Sequence, residues 1–76
     1  MNRFKKLKIE FTLLMAMAYI YLEDEETSFS YFYKAYHMPG NTDFFCHGMA
    51  LFGMGYCNCR LIISEYTDYT DVNAKM

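Results

Sequence analysis

Proline occurs once in the sequence, at Pro39, and glycine only four times, all from Gly40 onward. The chain before Pro39 therefore carries no strong helix breaker. The glycines follow no strand pattern and lack the basic residue of a phosphate loop, which argues against nucleotide chemistry. Positive charge is also scarce. Seven Lys and Arg against nine Asp and Glu give a net charge of −2, so no phosphate-neutralising surface and no nucleic-acid partner are expected. The longest apolar stretch, from Ile9 to Leu22, is too short for a bilayer span and contains Glu10, so no stable membrane insertion is expected. Three cysteines cannot pair completely within one chain, and a reducing cytoplasm suits them.

Candidates for catalysis are few. Cys46 and His47 are adjacent, yet neighbours on a helix point about 100° apart, which separates a thiol from a base. His37 lies near a helix end and needs no enzymatic role there. No enzyme, no catalytic residue and no cofactor are expected. Cys46, His47, Cys57 and Cys59 are the candidate metal ligands, but their spacing departs from common zinc patterns, and buried thiols are the plainer reading.

Apolar matter, by contrast, is abundant: 54% of the 76 residues are hydrophobic and 20% aromatic. A chain of this length makes one small domain and cannot hide so much apolar surface by itself, so part of it is expected to meet another polypeptide. The organising stretch runs from Leu13 to Pro39. Leu13, Ala16, Met17 and Ile20 fall at i, i+3, i+4 and i+7, and Phe29, Phe32, Tyr33 and Tyr36 repeat the spacing, which predicts two amphipathic helices. Small residues (Ala16, Ala18, Ser28, Ala35) stand where the two would approach closely. Glu23-Asp24-Glu25-Glu26 lies between them, where carboxylates favour the start of the second helix, and Pro39-Gly40 stops it.

Thr42 or Asp43 then offers a cap for a third helix over Phe44–Phe52, which Gly53 and Gly55 are expected to end. A fourth helix is predicted from Asn58 to about Tyr66. Residues 67–76 are polar, without periodicity, and read as a flexible tail, leaving 1–66 as a single all-α, four-helix domain of two hairpins. At the other end, Arg3, Lys5, Lys6 and Lys8 concentrate basic charge in the first eight positions. A signal peptide would need an apolar core that Glu10 interrupts, so a solvated helix entry is the expectation. Cations are disfavoured at a helix N-terminus, and an acidic partner surface nearby would offset this.

Ala16 and Tyr19, the Leu22-Glu23-Asp24 turn, Ser28, Phe32, Ala35 and Pro39 together resemble the tetratricopeptide repeat, a helix-turn-helix of about 34 residues. Ser28 stands for the usual alanine and Thr12 for a usual aromatic. The second hairpin resembles the repeat at Phe44 or Phe45, Gly48, Ala50 and Met54-Gly55, with Arg60 at a position where a small residue is expected. The FF-x-x-G-x-A run, Met-Gly and Ile63-Ser64-Glu65-Tyr66, preceded by Phe32-Tyr33-Lys34-Ala35-Tyr36, are similar to the small chaperones of type III secretion systems, the needle-subunit branch first and the translocator branch second.

That resemblance implies a small right-handed helical array and a cytoplasmic, virulence-associated chaperone. Such a protein covers the amphipathic helix of a secretion subunit, with a small co-chaperone as a further partner. The first helix of each pair then lines a groove, which places Leu13, Met17, Ile20, Tyr21, Phe45, Met49 and Phe52 as partner-binding residues. The alternative is an obligate helical homodimer or regulatory subunit that consumes its excess apolar surface itself.

Overall fold

The computed structural model describes residues 3–41 and 43–75, with side chains through Tyr66. Among the described residues there are three helices and no strand: α1 (Arg3–Tyr21), α2 (Glu25–Tyr36) and α3 (Phe44–Lys75). The all-α expectation holds.

The first helix, rich in Lys, Leu, Met and Ala, suits helical geometry and ends in a Schellman turn. The Asp24 amide donates to the Tyr19 carbonyl at 2.9 Å and the Glu23 amide to the Ile20 carbonyl at 3.0 Å. Glu23 takes the left-handed position of that turn, at φ 60°, where glycine is the usual occupant. The acidic run serves α2 as the sequence implies: the Asp24 carboxylate caps the Thr27 amide at 3.2 Å, and Glu25 and Glu26 occupy the first turn. His37 forms the C-cap, its amide donating to the Tyr33 carbonyl, and the chain turns away through Gly40 at φ 81°. Asp43 caps α3 by accepting from the Cys46 amide at 3.0 Å. Thr42, the other candidate cap, lies outside the described residues, as do Met1 and Asn2 of the basic start.

The expected pair of hairpins is corrected here. One hairpin forms, α1–α2, but the third and fourth helices are a single rod, because neither Gly53 nor Gly55 ends α3. A glycine inside a helix costs only about 1 kcal/mol relative to alanine, so packing decides whether it stops. Gly53 is where α3 crosses α2. A Cβ built there would collide with the Phe32 ring, which is itself almost wholly buried. The glycine thus marks a close approach of two helices. The stretch expected as a tail falls on the last turns of α3, where the backbone alone is described, and Met76 lies outside the described residues.

Both α1 and α3 pack chiefly on α2 and touch one another much less. The core gathers Ile9, Leu13 and Ala16 from α1, Phe32 and Ala35 from α2, and Cys46, Ala50 and Cys57 from α3. Tyr19 and Tyr31 stack across the α1–α2 interface with ring centroids 5.4 Å apart. Among the described residues, ion pairs join Lys6 to Asp43 at 3.7 Å and Arg60 to Glu25 at 3.6 Å. Arg60, at a position where the repeat expects a small residue, is exposed and free to make that pair. Among the residues of α3 whose side chains are described, Cys57 is the last that is buried, and the molecule is 58 Å long.

Candidate functional site

With α2 wedged against both neighbours, α1 and α3 leave a groove between them. Its upper part is a cleft of about 520 Å³ with Leu13, Met17, Cys46 and Met49 at the bottom and Leu14 and Phe45 on the rims. Lys6, Glu10 and Asp43 hold its polar mouth. Met17 and Met49 also line the next cleft, of about 150 Å³, together with Ile20, Phe32, Phe52, Gly53 and Tyr56. Phe52 and Tyr56 in turn wall a third, beside Gly55 and Cys59. Shared lining residues make the three clefts one continuous apolar strip.

The α3 wall has a regular plan. Phe45, Met49, Phe52, Tyr56, Cys59, Ile63 and Tyr66 follow one another at alternating steps of four and three, the spacing that keeps a seam facing a second helix. From Phe45 to Tyr66 the seam covers about six turns, roughly 32 Å. Phe45 and Phe52 remain 71% and 72% exposed along it.

Six of the seven residues expected to meet a partner, Leu13, Met17, Ile20, Phe45, Met49 and Phe52, line this groove. Leu13 is a core residue and serves as floor, while Met17, Ile20 and Met49 are half-buried. Tyr21 is placed elsewhere: it is 89% exposed at the end of α1 and lines neither of the two clefts. Sequence reasoning missed Leu14 and Tyr56. Tyr56 was hidden by the expectation of a turn at Gly53–Gly55, although its place in the α3 spacing would have revealed it.

The charged side chains that line the clefts sit at the mouth. The Cys46 amide holds the Asp43 carboxyl below its ordinary value, and the nearby Lys6 ammonium adds to this. Burial pushes the Cys46 thiol up, and the carboxylates of Asp43 and Glu10 push it further, so it stays a protonated, apolar part of the cleft wall. Cys46 and Cys57 are both buried but stand three turns apart on α3, roughly 16 Å by helix rise, and Cys59 is exposed. Among the described residues no three His, Cys, Asp or Glu side chains come together as a metal site. His47 instead packs on Tyr36, with ring centroids 4.1 Å apart. Among those residues no helix is long and apolar enough to cross a membrane.

Compared with protein-family models, curated proteins and solved structures, the chain matches none.

Proposed function

We propose that the chain is a protein-binding module that takes the apolar face of an amphipathic helix into the α1–α3 groove. In this reading it is a cytoplasmic chaperone of a type III secretion subunit, which it keeps from polymerising before export. The observation that carries the binding reading is the α3 seam beside the methionine-floored strip. A heptad-spaced row of large side chains left open to solvent is complementary to one more helix, of about 20 residues. Met17 and Met49, flexible and polarizable, suit a floor that must adapt to a partner's side chains. Lys6 pairs with Asp43 at the mouth, and the further carboxylate of Glu10 favours a guest with a basic residue near that end. The secretion role rests on the resemblance of the Phe44–Ala50 and Ile63–Tyr66 motifs, and a co-chaperone would cover apolar surface that the groove does not use.

The test is co-expression with the small proteins encoded beside this chain, followed by size-exclusion chromatography. A short helical secretion subunit should co-elute. Phe45→Asp and Phe52→Asp, both at exposed groove positions, should abolish co-elution. Leu51→Asp, on another face of α3, should leave it intact. A complex indifferent to both groove substitutions, or no complex at all, overturns the reading.

A further inference from the structure

A second apolar seam runs along α1, on the face turned away from the core. Phe4, Leu7, Phe11, Leu14, Ala18 and Tyr21 succeed one another at steps of three, four, three, four and three, an unbroken coiled-coil spacing over the whole helix. All six are exposed. The core positions Ile9 and Ala16 lie on the opposite side of the helix. From Phe11 to Tyr21 only Thr12 interrupts the hydrophobic residues, so this half of α1 is apolar nearly all round, a pattern that belongs to helices enclosed on every side. Packing on α2 and the groove cover only part of its circumference.

We propose that this seam is a homodimer interface in which α1 packs antiparallel against α1 of a second copy. Charge selects both the occupant and its direction. The N-terminal end of α1 carries Arg3, Lys5, Lys6 and Lys8, and the chain leaves its C-terminal end through Glu23-Asp24-Glu25-Glu26. An antiparallel pair lays each copy's basic end beside the other's acidic turn, whereas a parallel pair would stack like on like. The same arrangement supplies the acidic surface that cations at a helix N-terminus call for.

The register follows from the spacing, since antiparallel coiled coils oppose alternate seam positions. Phe11 meets Leu14 of the second copy, Leu7 meets Ala18 and Phe4 meets Tyr21, each contact repeated by the two-fold axis. In that register Arg3 lies beside Asp24 of the second copy. The exposed seam amounts to roughly 600 Å² per copy, given the size of aromatic side chains. About 1,200 Å² in total reaches the range of specific stable interfaces, before Met15 and Leu22 on the flank are added. The seam is centred about a quarter-turn from the groove floor on α1 and meets the groove only at Leu14, on the rim, so the dimer leaves the floor and the α3 wall open.

Light scattering of the full chain at micromolar concentration should give twice the 9.0 kDa chain mass. Phe11→Lys, at an outward position, should keep the helical circular dichroism and weaken the dimer by about tenfold or more, because a charge enters an apolar seam. Phe52→Lys in the groove should leave the dimer unchanged, which separates this interface from the proposed guest site. On a Cys59→Ser background, chains carrying Phe11→Cys and chains carrying Leu14→Cys should form a disulfide with each other on oxidation, in preference to linking with themselves. A monomer at all concentrations overturns the proposal, as do a dimer untouched by Phe11→Lys, self-linking of the Phe11→Cys chain, and open-ended assembly.

Discussion

The Ser28 hydroxyl donates to the Ala16 carbonyl at 2.6 Å across the buried α1–α2 interface. The same oxygen lies 3.5 Å from the Cys57 sulfur and accepts its thiol, so one small side chain ties all three helices. The repeat pattern expects alanine at this position, and serine adds a bond without adding much volume. Ser28→Ala should lower stability by about 1 kcal/mol, the usual net worth of an internal hydrogen bond. Ser28→Val should cost more, about 1–3 kcal/mol, because it loses the same bond and adds volume at a wholly buried position. Urea denaturation of the two variants checks the order.

Two glycines of α3 should respond in opposite directions to the same change. Gly55 has open space where a Cβ would be, so Gly55→Ala should stabilise by up to about 1 kcal/mol through helix propensity alone. Gly53 faces the Phe32 ring, and Gly53→Ala should destabilise despite the same propensity gain. Thermal melts of the pair read the difference, and a stabilising Gly53→Ala would mean that α3 does not cross α2 at Phe32.

That contrast shows where the sequence stops being legible. The first two helices could be read from their apolar spacing, the acidic run and Pro39-Gly40 marked their boundaries, and Asp43, with Thr42 as the other candidate, marked the start of the third, because each of those signals acts through neighbours along the chain. Gly53 and Gly55 look alike locally. What distinguishes them is Phe32, on another helix, and no window of sequence contains both. The groove was legible at Met17, Ile20, Met49 and Phe52 because apolar spacing fixes a face once the axis is known. Tyr21 falls outside the two clefts: α1 is apolar on nearly every side from Phe11 on, so spacing alone does not say which face is the groove.

Glu23 holds a left-handed backbone position that costs a residue with a Cβ roughly 1–2 kcal/mol. Glu23→Gly should therefore raise stability by about 1 kcal/mol, part of the relief being offset by the entropy of glycine in the unfolded chain. Glu23→Val should do the reverse, since a β-branched side chain tolerates that conformation least. The melting temperatures of the two variants should bracket that of the native chain.

Of the three thiols, Cys59 is exposed while Cys46 and Cys57 are buried. A thiol-specific chromophore should label one cysteine per folded chain quickly and all three after denaturation. Cys46 should lag even at mildly alkaline pH, because burial and the neighbouring carboxylates disfavour its thiolate. A guest helix in the groove should slow Cys59 as well, since that residue lines the far end of the strip. Labelling kinetics of free and complexed protein thus read groove occupancy without any substitution.

Asp43 gives the acid limb of stability its sign. Its carboxyl is held below the ordinary value of 3.8 by the Cys46 amide, with help from Lys6, so the folded state binds this proton less tightly than the unfolded state does. The stabilisation is complete at pH values above 3.8 and is lost as the pH falls through the lower folded value. Asp43→Asn keeps a side-chain oxygen for the cap but removes both the titration and the Lys6 pair. The variant should be somewhat less stable than the native chain at pH 7, and the gap should close as the pH falls below 3.8. Urea midpoints measured at pH 7 and pH 3 test this. A gap of equal size at both would mean that the Asp43 charge contributes nothing to holding the start of α3 against α1.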